Sequence, residues 1–233
     1  MTLFWMHLRK DIKKMIKIIF ATGNKDKMRE IREIMADCDV EIYSMKEAGI
    51  NIDIVEDGDT FEANSTIKAK AISDYISGKG MSEEQKDDSW KAVSEKYKGA
   101  IVLADDSGLE IDYLNKEPGV YSARYMGEDT SYDIKNQNLI DRLEGVEKDK
   151  RTARFVCAIA AVLPDGEVLV SRETMEGYIG WKIAGENGFG YDPIFYLDEF
   201  GCSSAELSRE QKNAISHRGK ALAGIKKLLR KYF

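Results

Sequence analysis

Residues 100–108 read Ala-Ile-Val-Leu-Ala-Asp-Asp-Ser-Gly, and no other stretch of the chain restricts the fold as tightly. A short apolar run that closes on turn-forming residues predicts a buried strand. The expectation is that this strand stops where Asp105 and Asp106 begin. A second strand is expected over the alternating segment 109–114. In open α/β sheets, ligands collect outside the carboxyl ends of strands. Two adjacent carboxylates at such a place repel each other unless a cation or protons offset the charge. The working expectation is therefore an acidic site that holds Mg²⁺ for a phosphorylated substrate.

The chain's 233 residues are enough for one large domain or two lobes sharing a core. Its 43% hydrophobic and 33% charged residues describe a globular protein rather than a disordered one. A net charge of −6 argues against non-specific coating of nucleic acid as the main task. Cys38, Cys157 and Cys202 are far apart and form no Cys-x-x-Cys pair. That excludes a disulfide framework or thiolate zinc site as the expectation and fits a reducing, cytoplasmic setting. In residues 1–14 the apolar residues precede the basic ones, the reverse of a secretory signal. This segment reads as an extension outside the fold, with Met15 a plausible alternative start. No run approaches the length of a membrane span.

Residues 16–21 are β-branched and apolar, followed by Thr22-Gly23-Asn24-Lys25-Asp26-Lys27 and then by Met28, Ile31, Ile34 and Met35 at helical spacing. This is a strand, a turn and a helix. The free N–H groups at a helix start, with Lys25 and Lys27 beside them, suit an anion. The Walker A pattern is absent, and a plain turn with solvated lysines is the alternative. A further helix is expected from about Asp59, capped by Asp59 with Glu62, burying Phe61, Ile67, Ala71 and Tyr75. Asn64 and Lys68, four apart, share another face. The polar segment 77–99 reads as an exposed insertion, with Trp90, Val93 and Tyr97 giving a weak helical rhythm near its end. Residues 131–144 look helical, with Tyr132, Leu139 and Leu143 inward. Segments 153–163 and 167–174 flank Pro164-Asp165-Gly166 and predict a long antiparallel hairpin.

Gly185 to Asp192 is glycine-rich but lacks the order of a dinucleotide fingerprint. Glycine lets backbone approach a ligand closely, and Phe189 and Tyr191 are candidates for stacking on a planar base, or for the core. Ser208 with Gln211 forms a capping box before a short helix, and Ser216-His217-Arg218-Gly219 opens a basic terminal helix. In isolation His217 would be structural. The whole reads as one α/β unit with an antiparallel hairpin.

Five ordered motifs resemble the inosine triphosphate pyrophosphatase family (XTP/dITP diphosphatases). They are Thr22-Gly23-Asn24-x-x-Lys27, Asp105-Asp106-Ser107-Gly108-Leu109, the run from Pro118 to Tyr125, Gly188-Phe189-Gly190-Tyr191-Asp192-Pro193 and Ser216-His217-Arg218-Gly219. The resemblance implies a long mixed β-sheet flanked by helices, with two lobes around a central substrate cleft, in a cytoplasmic homodimer. It implies Mg²⁺-dependent hydrolysis of ITP, dITP and XTP to the monophosphate and pyrophosphate. By the same resemblance, Thr22, Gly23, Asn24, Lys25, Asp26 and Lys27 hold the triphosphate. Glu56 and Asp106 bind metal, Asp106 accepts a proton, and Ser107 touches substrate. Phe189, Gly190, Tyr191, Asp192, Lys212, His217 and Arg218 bind the nucleotide. The division of roles between Asp105 and Asp106 stays open, since adjacent carboxylates titrate as a coupled pair. Where the family tends to read Phe-x-Glu-Asn, this chain has Phe61-Glu62-Ala63-Asn64, which shifts an acid by one position. The rival readings are a pyrophosphatase for modified pyrimidine triphosphates and a nucleotide-binding regulator without turnover.

Overall fold

The computed structural model describes residues 15–232; the expected extension over 1–14 lies outside them. One seven-stranded sheet runs through the molecule in the order β2-β1-β3-β4-β5-β6-β7. Its strands are β1 (Ile16–Phe20), β2 (Val40–Ser44), β3 (Ile101–Ile111), β4 (Thr152–Val162), β5 (Val168–Ile179), β6 (Phe195–Leu197) and β7 (Cys202–Ser203). β1 lies parallel to both β2 and β3, and every later pairing is antiparallel. The sheet is thus mixed, as expected, and the β4–β5 hairpin turns at the predicted Pro164-Asp165-Gly166.

Helices α1 (Lys25–Ile34) and α7 (His217–Leu229) cover one face. Met28 and Ile31 from the first, and Leu222, Ile225 and Leu229 from the second, pack on Ile18, Phe20, Leu103 and Ile159. Helix α3 (Phe61–Ser77) covers the other face over β3 and β4. Its Ala69, Ile72 and Ile76 pack on Ile19, Val102, Ala104 and Ala160. A further core lies toward the β5–β7 end, where Leu109 and Ile111 meet Phe155, Ile179 and Phe195. The short α2 (Met45–Ala48) follows β2, α5 (Tyr132–Asp141) precedes β4, and α6 (Arg209–Ile215) precedes α7.

Several local expectations change. Residues 101–111 form one strand, not two, so Asp105 and Asp106 sit inside it. The aspartates do not end the strand because β4 pairs with it continuously from Val102 to Ile111. β1 stops pairing at Leu103, and beyond it that edge of β3 has no partner strand until the 117–122 turn covers it, with Leu109 N donating to Ser122 Oγ and Glu110 bridging Pro118. The cap of α3 is Thr60, whose hydroxyl accepts from Ala63 N, rather than Asp59. The buried row of that helix is Phe61, Ser65, Ala69, Ile72 and Ile76, so Ile67 and Ala71 lie off it, while Tyr75 packs half-buried against the same core. Tyr132 is 39% exposed, while Leu139 and Leu143 point inward as expected. Segment 77–99 is not simply an exposed insertion. Helix α4 (Asp88–Tyr97) docks on α3 through Trp90 Nε1 to Tyr75 O at 2.7 Å and Ser94 Oγ to Ile76 O at 2.7 Å. Tyr97 is wholly buried.

Candidate active site

Alternation along β3 decides the geometry, because successive side chains of a strand point to opposite faces. Asp105 points toward α1 and α7. Its carboxylate meets Lys27 Nζ at 2.9 and 3.0 Å and Arg218 Nε at 3.4 Å. Burial opposes its charge, but Lys27 and Arg218 outweigh burial and hold its pKa well below the usual carboxylate value. Arg218 is itself 4% exposed and also binds Glu30 at 2.5 Å. Its charge survives burial because two carboxylates, Asp105 and Glu30, face it, and its pKa rises.

Asp106 points the other way, toward α3. Asn64 Nδ2 donates to its Oδ2 at 3.1 Å, and Ser107 N donates to its Oδ1 at 3.0 Å. Lys68 Nζ stands 2.7 Å from Glu56 and 3.9 Å from Asp106. Burial is the leading influence on Asp106 and raises its pKa; the Glu56 and Asp105 charges add to the rise, while Lys68 and Asn64 oppose it.

Ser107 returns to the first face, where its hydroxyl contacts Asp105 at 3.2 Å. That face opens into a cavity of about 450 Å³. One wall carries Asn24 and Lys27 from the start of α1, with Asn24 Oδ1 accepting from Lys27 N at 3.2 Å. Thr22 is buried beside it, and its hydroxyl accepts from Asn24 N at 3.1 Å. Gly23 and Lys25 are exposed, and the side chain of Asp26 lies outside the described set.

The far wall carries Phe189, Gly190, Tyr191, Asp192, Lys212, His217 and Arg218. Phe189 is 40% exposed, with the Lys212 and Arg218 cations 5.5 and 5.6 Å from its ring centre. Tyr191 is buried and donates to Ser122 O at 2.7 Å, so it is core rather than a free stacking face. Asp192 binds Lys212 at 2.5 Å and accepts from Phe189 N at 2.8 Å, which ties the glycine loop to α6. His217 stacks on Phe155 with a 5.0 Å centroid separation. Burial first, and then Arg218, keep its imidazole neutral, and its Nδ1 has no partner among the described residues.

The cavity thus gathers Asn24, Lys27, Ser107 and the whole late set, while Glu56 and Asp106 line a separate cluster across the strand. Glu30, Asn64, Lys68 and Phe155 escaped the sequence reading as site residues. For Asn64 and Lys68 the available signal was their shared helix face; for Glu30, it was its position one turn beyond Lys27. Glu62, the shifted acid, stays away from this cluster and pairs with Arg172 at 3.2 Å.

This fold and site define an α/β protein with a cleft lined by Phe189, Lys27, Lys212 and Arg218 and a carboxylate cluster across the strand from it. The chain belongs to the Ham1 family, whose model matches residues 18–228. It is 45% identical over 212 residues to a dITP/XTP pyrophosphatase of Clostridium perfringens, covering 91% of this chain and 96% of the relative. A dITP/XTP pyrophosphatase of Caldanaerobacter subterraneus is 43% identical over 217 residues, covering 93% and 98%. Among solved structures, a HAM1 protein from Coxiella burnetii superposes with a TM-score of 0.75 at 34% identity, covering 93% of this chain and all of the other. The Staphylococcus aureus Ham1 protein gives 0.74 at 35% identity, with the same coverage.

Proposed function

We propose that this protein hydrolyses the aberrant purine nucleotides ITP, dITP and XTP to the nucleoside monophosphate and pyrophosphate. The observation that carries the reading is the division of labour on β3. Asp105 anchors the basic, aromatic-walled cavity on one face, and Asp106 anchors a carboxylate cluster on the other. The relatives named as dITP/XTP pyrophosphatases support the same reaction.

Water attacks the α-phosphorus, the bond from that phosphorus to the bridging oxygen breaks, and pyrophosphate leaves. The water's proton passes to a carboxylate, assigned here to Asp106, which stands with Glu56 and Lys68 rather than locked between Lys27 and Arg218 as Asp105 is. Lys27, Asn24 and the N-terminal end of α1 bind the phosphates and stabilise charge on the leaving group. Thr22, Gly23 and Lys25 flank that anion site, and Ser107 contacts the substrate.

Glu56 and Asp106 are hard oxygen donors that suit Mg²⁺, which one or two carboxylates plus substrate phosphates and water can hold. No group of three or more His, Cys, Asp or Glu able to hold a metal occurs among the described residues, so the substrate would complete the shell. When bound, the ion supplies Lewis-acid stabilisation of phosphoryl charge. Lys68 offsets part of the charge of the same two carboxylates.

Phe189 stacks on the base, while Arg218 and the neutral His217 present donors to the 6-oxygen of hypoxanthine or xanthine. Adenine carries an amine there, so those donors would lose their acceptor, which is strongly discriminating in a buried site. The same reading includes a cytoplasmic homodimer. The free thiols of Cys38, Cys157 and Cys202 fit a reducing compartment, and no described helix is long and apolar enough to cross a membrane. Sedimentation would read twice the 26.3 kDa chain mass for the dimer.

The direct test is Asp106→Asn. Loss of Mg²⁺-dependent pyrophosphate release from ITP, with an unchanged far-ultraviolet spectrum, is expected. Wild-type turnover in that variant would remove Asp106 from the mechanism.

A further inference from the structure

Asn64 is 1% exposed in the first turn of α3, and both ends of its amide are engaged. Its Oδ1 accepts from Gly58 N at 2.8 Å, and its Nδ2 donates to Asp106 Oδ2 at 3.1 Å. The orientation is forced, because a backbone N–H only donates and a carboxylate only accepts. Gly58 lies two residues beyond Glu56, so this one side chain joins the turn carrying Glu56 to the strand carrying Asp106. The fit at the turn is tight. A Cβ on Gly58 would come within 2.8 Å of both Asn64 Oδ1 and Ala63 Cβ.

Asn64 is in turn fixed by its own helix end. Its N–H donates to Thr60 O at 3.0 Å, and the Thr60 hydroxyl accepts from Ala63 N at 3.1 Å. Lys68, one turn further on, meets Glu56 and Asp106 from the same helix. Charge attraction alone would let these long side chains slide. The short, buried amide sets the angle of the Asp106 carboxylate and the distance of the Glu56 turn together.

We propose that Asn64 is a positioning residue that locks Asp106 and the Glu56 turn into one reactive arrangement. It rests on the reading of Asp106 as a reactive carboxylate, and it contacts no substrate itself. Misplacement of a reacting group by about 1 Å is enough to cost roughly 100-fold in rate.

Two variants separate the arms of the amide. Asn64→Asp keeps an acceptor for the Gly58 amide and turns the donor facing Asp106 into a second acceptor. Asn64→Ala removes both arms. For N64D, the Gly58 amide should keep its hydrogen-exchange protection while kcat for ITP falls about 30-fold or more and KM stays within about threefold. For N64A, exchange at Gly58 should accelerate by about tenfold or more, with a similar loss of kcat.

The double variant N64D/D106N exchanges donor and acceptor across the contact. It should recover most of the melting temperature that N64D loses, although it has no Asp106 and no turnover. Wild-type kcat in N64D would overturn the proposal. So would unchanged Gly58 exchange in N64A, or a double variant that melts no higher than N64D. Failure of the wild-type protein itself to release pyrophosphate would instead overturn the proposed reaction, and the exchange and melting comparisons would still judge the role of Asn64.

Discussion

Asp105 and Asp106 are neighbours in sequence and face opposite sides of one strand. The first is bound by Lys27 and Arg218 beneath the cavity; the second is bound by Asn64 and approached by Lys68 beneath α3. The expectation of a strongly coupled side-by-side pair is replaced by two carboxylates in different settings, one held ionised and one raised. Their mutual repulsion persists only as a lesser contribution to the rise at Asp106.

Lys68 Nζ reaches both carboxylates of the cluster, at 2.7 Å from Glu56 and 3.9 Å from Asp106. Lys68→Met should lower the melting temperature of the metal-free protein by leaving two carboxylates facing one another. Added Mg²⁺ should raise the melting temperature of the variant more than that of the wild type, because the ion replaces the missing charge. The variant's kcat/KM should fall about 100-fold, as expected when a fixed charge beside the reacting carboxylate is lost. An equal response of both proteins to Mg²⁺ would contradict this role.

Gly108 marks where the strand passes under the 118–122 turn. A Cβ there would lie 2.5 Å from Gly119 O and Ser122 Oγ and 2.8 Å from a ring carbon of Phe61. The first two contacts belong to a turn that is pinned, since Leu109 N donates to Ser122 Oγ at 2.9 Å. Gly108→Ala should therefore destabilise by about 1–3 kcal/mol, the usual cost of overpacking. Chemical denaturation measures it, and a change below about 0.5 kcal/mol would mean that the turn yields.

His217 is buried and neutral, with its pKa driven well below the ordinary value. An unfolded histidine takes up a proton below about pH 6.5 while the folded one does not. The unfolded state then binds more protons, so stability falls as the pH drops. His217 should contribute a slope of up to about 1.4 kcal/mol per pH unit below pH 6.5, until its folded pKa is reached. His217→Gln should lack that component in urea titrations between about pH 4.5 and 7. An identical slope in both proteins would show that His217 titrates freely.

The elements with strong local signals were legible in the sequence. The β4–β5 hairpin announced itself by its turn, and the Ser208 capping box started α6 where expected. The turn at Thr22–Lys27 likewise leads into α1. What escaped depends on partners distant in sequence. Asp105 and Asp106 looked like a strand end because paired carboxylates disfavour strands locally, yet continuous pairing with β4 carries the strand through them. Trp90, Val93 and Tyr97 carry a helical rhythm that α4 bears out, but only the docking of α4 on α3 shows that Tyr97 is buried rather than exposed. Asn64 and Lys68 were visible as one helix face, but not as the face that meets Asp106, 42 residues beyond Asn64.

Release of pyrophosphate from a panel of ITP, dITP, XTP, ATP, GTP, dTTP and dUTP, with Mg²⁺ and the wild-type protein, tests the central claim most directly. The account predicts kcat/KM for ITP, dITP and XTP at least about 100-fold above that for ATP, the scale set by leaving buried donors unpaired. Faster turnover of dTTP or dUTP than of ITP and XTP would contradict it.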